Sequence, residues 1–441
     1  MKKVLVLGAG LVSRPLVRYL LDQPDTQVII ASRTVSKAEA LIEGHPSGKA
    51  VAATVQEKDK LEALVAESDV AISLLPWIYH VQVAELCLKH KTHLVTTSYV
   101  SPAMRALDQQ AKDQGLLFLN EIGLDPGIDH MSAMKMIHEV AHKGGRVISF
   151  ESICGGLPAP EANDNPFGYK FSWSPRGVLL AGRNSAHFLK DGQDRVIENR
   201  DLFRTVGIKS IRGLGWLEYY PNRDSMLYQD LYGLKEARTI FRGTFRNSGW
   251  CETLEKIVLL GFLDDTERPE ILSWSWAQLT ASLIKAKPEG VRSAMAQFLE
   301  LPESHAVLNR FEWLGLFSGE PVVSTPPTVL DALTALMEKK MAYLPGERDM
   351  IVLQHEFIAE YPGGKREAIT SLLLDYGIPH GDSSMARTVS LPAAIAVKLM
   401  NLGQIKLTGV HIPTLPEIYE PVLDELEKMN IKFIDTYKPL A

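Results

Sequence analysis

The chain has 441 residues, 46% of them apolar and 23% charged, with a formal net charge of −6. That length holds two or three domains, and the composition is that of a soluble globular protein. A mildly acidic balance without a basic stripe excludes nucleic acid as the main partner. Three scattered cysteines, Cys87, Cys154 and Cys251, form no disulfide framework and predict a reducing compartment. No apolar run reaches the length of a membrane span, so no membrane partner is expected. Lys2 and Lys3 before an apolar run imitate a secretion signal. The run, however, leads into glycines and Arg14-Pro15 with no cleavage site, so the predicted location is cytoplasmic.

Val4 to Leu7 reads as a buried parallel strand. Gly8 and Gly10 follow at once, and Leu11, Leu16, Val17 and Leu20 then recur at helical spacing. Strand, glycine turn and helix is the context in which G-x-G-x-x-G marks a dinucleotide site. Gly8 permits the tight turn. Gly10 lets a pyrophosphate approach the helix N-terminus. The third position is Ser13, a small residue that still allows close helix–strand packing.

A second strand, Val28 to Ala31, ends at Ser32-Arg33-Thr34, where a NAD-specific site carries an acid for the ribose hydroxyl. Two hydroxyls and a guanidinium suit a 2′-phosphate instead, so the cofactor expected is NADP. Further strands are expected at 49–53, 69–75, 94–96 and 116–120, with helical patterns between them, as at 61–66 and 81–88. Strand–helix alternation predicts a doubly wound parallel sheet, with ligands at the carboxyl ends of the strands. That rule selects Gly8 and Gly10, Ser32 to Thr34, Leu74 to Trp77, Thr97 to Tyr99 and the segment after Asn120. The last reads Glu-Ile-Gly-Leu-Asp-Pro-Gly-Ile-Asp-His over 121–130, a tight turn that begins a helix and points Asp125 into the crevice. Asp129 and His130 read as helix-start residues rather than catalysts.

From 147 the pattern changes. Val147 to Cys154 alternates like a strand, and Gly155 to Gly168 reads as a long irregular, functional loop. Tyr169 to Pro175 is rich in strand formers and hydroxyls. Tyr219 to Ser225 and Arg242 to Arg246 set arginines beside turns and β-branched residues, suited to fork onto carboxylates. Strand signals vanish from 252 to about 341, which reads as an all-helical insert. His355-Glu356 is half of a zinc motif, but position 359 is Ala, so a plain strand over 350–357 and no metal are expected. Ser383 to Met400 and Glu417 to Met429 read as helices, the first returning to the nucleotide domain.

These stretches together resemble the saccharopine dehydrogenase family, within it the NADP-dependent, L-glutamate-forming branch. The carrying motifs are Gly8-Ala-Gly-Leu-Val, Ser32-Arg-Thr, 121–130, Cys154-Gly-Gly-Leu-Pro-Ala-Pro-Glu-Ala, Asn165-Pro-Phe-Gly-Tyr-Lys-Phe-Ser-Trp-Ser, Tyr220-Pro-Asn-Arg-Asp-Ser, Arg242-Gly-Thr and Gly381-Asp-Ser-Ser-Met-Ala-Arg-Thr. The resemblance implies an α/β protein with a variant Rossmann domain (1–128 with 383–441), a mixed α/β domain for saccharopine binding and dimerisation (129–252 with 346–382) and a small all-α insert (253–345). It implies a homodimer and a reversible reaction that links saccharopine, NADP and water to L-glutamate, 2-aminoadipate 6-semialdehyde and NADPH. It places Gly8, Gly10, Leu11, Val12, Ser32, Arg33, Thr34, Leu74, Leu75, Thr97, Leu124, Pro126, Gly127 and Ser174 on the nucleotide. It places Ser98, Tyr99, Asp125, Arg223, Thr244, Phe245 and Arg246 on the substrate. Hydride transfer needs orientation, whereas imine formation needs a proton shuttle. Asp125 or Tyr99 fills that role, directly or through water, or the substrate amine does so itself and both residues only position substrate. Two other readings stay open: a carboxynorspermidine-type dehydrogenase acting on a polyamine-like substrate, and a non-catalytic NADPH sensor.

Overall fold

The computed structural model describes residues 1–440. The chain folds as two compact units, 1–147 with 359–441 and 148–358. Its strands begin with β1 (Lys2–Leu7), β2 (Thr26–Ser32), β3 (Gly48–Ala52), β4 (Val70–Ser73), β5 (His93–Thr96) and β6 (Leu117–Leu119). Next come β7 (Arg146–Pro158), β8 (Ala186–Lys190), β9 (Gln193–Ile197), β10 (Gly207–Ile211), β11 (Gly215–Pro221) and β12 (Thr239–Arg246). The last are β13 (Asp349–Glu360), β14 (Arg366–Tyr376), β15 (Gly409–His411) and β16 (Phe433–Leu440).

The first unit holds the parallel sheet expected from the alternation, in the order β15-β6-β5-β4-β1-β2-β3. Val4 to Leu7 are all buried because helices cover both faces of the sheet. Leu5, Leu7, Ile29, Leu94 and Phe118 pack with Leu61, Leu64, Val83 and Cys87 on one side. On the first glycine helix, Ser13–Leu21, packs the long helix Ser384–Asn401. Ser383 caps that long helix through its hydroxyl, and Ala393, Ala394 and Ala396 are wholly buried, small enough to let helices approach. Three strands were not anticipated in this unit: β14; β15, which extends the parallel sheet; and β16, which pairs antiparallel with β14.

In the second unit the order is β10-β11-β12-β7-β13, with β8 paired to β12 and β9 to β8. Strand β12 runs antiparallel to β11 and parallel to β7. The expected irregular stretch from Gly155 is corrected here, because β7 continues to Pro158. The Gly155 position faces β12 closely: a Cβ there would sit 2.7 Å from the Phe245 carbonyl oxygen. The glycine serves close strand approach rather than a turn. Tyr169 to Ser174 is irregular despite its strand formers, and Ser174 caps a short helix, Pro175–Leu180. Helices dominate from Trp250 to Lys340. One of them, Trp276–Leu283, opens with a capping box of Ser275 and Gln278.

Candidate active site

Strand order in the first unit reverses between β1 and β4, and there the loops after both strands meet. Leu74 N–H donates to Leu7 O at 2.9 Å. Gly8 has φ +114, and a Cβ on it would lie 3.3 Å from Leu74 O, so both the turn and the approach require glycine. At Gly10 a Cβ would meet no protein atom within 4 Å. Its lack of a side chain answers no need of the protein's own packing and leaves the space over the turn open. Ser13 does more than pack. Its hydroxyl donates to Gly8 O at 3.3 Å and accepts Gly10 N–H at 3.0 Å, which pins the loop the third glycine would have served. The helix behind it has no side-chain cap at Val12 and no acid in its first turn, as an anion site at a helix N-terminus needs.

At the end of β2, Ser32 is buried and its hydroxyl accepts Thr34 N–H at 3.2 Å. Arg33 and Thr34 are exposed. Leu11 is exposed, while Val12, Leu74, Leu75 and Thr97 are half-buried along the same sheet edge. These residues fit a phosphorylated dinucleotide: open space over Gly10, uncapped helix N–H groups and a solvated guanidinium where an acid would repel a 2′-phosphate.

The segment after β6 closes this edge. Gly127 has φ +148, and a Cβ on it would fall 2.0 Å from Gly123 O, so the loop crosses itself backbone on backbone. The Asp125–Pro126 peptide is cis. Leu124 and Pro126 are buried, and Tyr99 Oη donates to Asp125 Oδ1 at 3.2 Å. The two proposed proton-handling groups are therefore joined. Asp129 and His130 are buried at the start of the helix Ile128–His142, as expected of structural residues. Asp129 Oδ1 accepts the N–H groups of Gly127 at 2.6 Å and His130 at 2.8 Å.

Two residues of this unit escaped the sequence reading. Glu121 sits at φ +55, accepts Val100 N–H at 2.9 Å and lies 2.8 Å from His130 Nε2, so it clamps the loop that carries Ser98 and Tyr99. His80 lies under the same loop, with Nε2 2.8 Å from Ser98 Oγ. A polar residue at the start of a helix, just beyond a β-strand end, was its only sequence signal.

In the second unit Arg242 and Arg246 fall on strand β12, whereas Arg223 lies beyond the end of β11. Arg246 ends β12 and is 4% exposed. Its guanidinium lies 5.1 Å from the Tyr169 ring, 5.5 Å from Trp250 and 5.8 Å from Tyr220. Nη1 donates to Phe245 O at 2.8 Å, and Nη2 reaches Tyr220 Oη at 3.5 Å. Nε is buried without a partner, and no carboxylate pairs with this cation among the described residues. Burial pushes the Tyr220 and Tyr169 phenols up against the pull of Arg246, so both remain neutral hydroxyls. The aromatic cage was not foreseen; Trp250, four residues after Arg246, was its signal.

Thr244 is half-buried and Phe245 wholly buried on the same strand. Cys154 is buried opposite Thr244 in the β7–β12 pairing. Arg223 is exposed with φ +55 in the turn after β11. Ser174 is exposed and its hydroxyl accepts Gly177 N–H at 3.2 Å.

The first unit thus defines a dinucleotide-binding, doubly wound fold, joined in one chain to an α/β unit with a buried cation. Family models specify the chain further: the saccharopine dehydrogenase NADP binding domain matches residues 4–119, and the saccharopine dehydrogenase C-terminal domain matches 123–431. The chain belongs to the saccharopine dehydrogenase family. It is 44% identical to the saccharopine dehydrogenase [NADP(+), L-glutamate-forming] of Schizosaccharomyces pombe over 98% of both chains. It is 37% identical to the mitochondrial alpha-aminoadipic semialdehyde synthase of Bos taurus, over 98% of this chain and 47% of that one. A solved structure of saccharopine dehydrogenase (L-Glu forming) from Saccharomyces cerevisiae superposes with a TM-score of 0.88 at 42% identity, covering all of both chains. Among the described residues, no helix is long and apolar enough to cross a membrane.

Proposed function

We propose that this protein is an NADP-dependent oxidoreductase of the CH–NH bond. It converts saccharopine, NADP and water reversibly into L-glutamate, 2-aminoadipate 6-semialdehyde and NADPH, within lysine metabolism. The observation that carries the reading is Arg246: a buried guanidinium with a partnerless Nε and no paired carboxylate among the described residues suits a substrate rich in carboxylates. Arg223, Thr244 and Phe245 take part in the same binding.

NADP, when bound, supplies the hydride acceptor. Gly8, Gly10, Leu11 and Val12 hold its pyrophosphate and Ser32, Arg33 and Thr34 its 2′-phosphate, with Leu74, Leu75, Thr97, Leu124, Pro126, Gly127 and Ser174 as further contacts. Loss of hydride from the carbon beside the secondary amine leaves an imine; water adds to it, and the C–N bond then breaks to give aldehyde and amine. Tyr99 and Asp125 share a hydrogen bond, so Asp125 accepts a proton from the substrate ammonium or the adding water while Tyr99 orients its carboxylate. Ser98 donates to the substrate beside them. The chain acts as a homodimer in the cytoplasm.

The test is absorbance of the reduced nicotinamide after mixing the protein with saccharopine and NADP, repeated with NAD. NADPH formation with glutamate among the products supports the reading. Turnover of a carboxylated polyamine and not of saccharopine would replace it with the sister activity. Tight NADPH binding with no turnover of either would leave a sensor.

A further inference from the structure

His80 opens the helix His80–His90 beside the carboxyl ends of β4 and β5 and is 4% exposed. Its Nδ1 lies 2.9 Å from Ser73 Oγ; its Nε2 lies 2.8 Å from Ser98 Oγ and 3.1 Å from Thr96 Oγ1. One ring therefore ties together the ends of two neighbouring strands and the loop that carries Ser98 and Tyr99. We infer that His80 is a positioning residue that donates from Nε2 to Ser98 Oγ and thereby directs the Ser98 hydroxyl proton toward the substrate. The inference rests on the proposed reading of Ser98 as a substrate contact.

The assignment follows from counting donors. Burial pushes the His80 pKa down to about 4, so the ring is neutral, with one N–H and one lone pair. Ser73 is fully buried, and the ring nitrogen is the one hydrogen-bond partner of its hydroxyl among the described residues. A buried donor needs its acceptor, so Ser73 donates to Nδ1 and the ring proton resides on Nε2. A single Nε2–H can face two hydroxyl oxygens, with the shorter contact to Ser98. In the opposite tautomer the Ser73 proton has no acceptor and one lone pair faces both hydroxyls. In the one assigned, Thr96 Oγ1 accepts from the ring and from Ser98 N–H and its own proton is the one left over, so the ring-nitrogen measurement below decides between the two.

Thr96 Oγ1 also accepts Ser98 N–H at 3.3 Å, and Ser98 O accepts Glu121 N–H at 3.1 Å. The Ser98 backbone is therefore held on both sides while its side chain is oriented by the ring. Of the three hydroxyls around His80, only that of Ser98 belongs to a residue that is not buried. Its proton is the one free for a carboxylate or an amine lone pair.

The experiment is a double-mutant cycle of His80→Leu and Ser98→Ala, with His80→Gln as the conservative variant. His80→Leu should raise the saccharopine KM by about fivefold to twentyfold, with the NADPH Kd changed by less than about twofold. His80→Gln, which keeps an N–H near the Nε2 position, should restore most of the loss. In the Ser98→Ala background, His80→Leu should add nothing. Equal effects in both backgrounds, or an equal loss of NADPH affinity, would overturn the inference. A second measurement does not depend on turnover: nitrogen-15 NMR of the His80 ring in the wild-type protein. A neutral ring with its proton on Nε2 between about pH 6 and about pH 8 is expected, and a proton on Nδ1 or a charged ring would refute it. A wild-type protein that fails to reduce NADP with saccharopine would defeat the functional reading, while the ring spectrum still decides the role of His80.

Discussion

The two basic groups proposed to meet anions are built in opposite ways. Arg33 stands exposed on a loop after β2. Arg246 lies on a sheet strand at 4% exposure, ringed by Tyr169, Tyr220 and Trp250. A phosphate is strongly hydrated and is met well by a solvated guanidinium. A carboxylate that must be held in one orientation is better met by a cation whose rotamer is already fixed by packing. The cage pre-organises Arg246 at a cost that Arg33 does not bear: desolvation of a charge without a counter-ion among the described residues.

Arg246→Met sharpens this contrast most. A forked charged pair with a substrate carboxylate is worth about 3–4 kcal/mol, so the saccharopine KM should rise by about a few hundredfold. The melting temperature should hold or rise, because the substitution removes a buried, unpaired charge from an aromatic cage. A lower melting temperature with an unchanged KM would make Arg246 a structural cation. Gly127→Ala comes next. Its Cβ would fall 2.0 Å from Gly123 O in a left-handed region of backbone. The loop must open, at a cost of at least about 2 kcal/mol in a denaturation titration. An unchanged midpoint would show that this crossing is not rigid.

Arg33→Ala probes the solvated side of the contrast. The lost charged hydrogen bond, about 1.5–3 kcal/mol, should weaken NADPH by about tenfold to a hundredfold and leave NADH unchanged. Calorimetry with both nucleotides measures this directly. Equal weakening of both would remove Arg33 from the 2′-phosphate.

The parallel sheet was legible because β1, β2 and β4 to β6 are short, apolar and separated by helical periods, and two-sided burial leaves that mark on sequence; β3, the half-exposed edge strand, was read from the alternation alone. The Gly8 and 121–127 loops were legible because backbone geometry demands Gly and Pro at fixed offsets, and Ser32 to Thr34 because it follows the second strand without an acid. What stayed hidden depends on contacts between distant residues. The cage of Arg246 draws Tyr169, Tyr220 and Trp250 from separate segments, and no local pattern announces it. Gly155-Gly156 reads as a break because glycine usually punctuates; here it admits a neighbouring strand. The β8–β9 hairpin went unread although Asp191-Gly192, both at positive φ, is a tight-turn signal in its own right.

His80 supplies the smallest effect and one with a definite sign. Burial lowers its pKa from the ordinary 6.5 to about 4. Below 6.5 the unfolded chain takes up a proton that the folded chain refuses until about 4, so stability falls as pH falls through that window. Between about pH 7 and about pH 5.5 this amounts to about 1 kcal/mol. Urea midpoints at both pH values, compared between the wild type and His80→Gln, isolate the contribution from that of the carboxylates. The wild type should lose about 1 kcal/mol more than the variant over this interval. Equal losses would mean that the ring takes up its proton in the folded state and has access to water, which a ring sealed between Ser73, Thr96 and Ser98 does not.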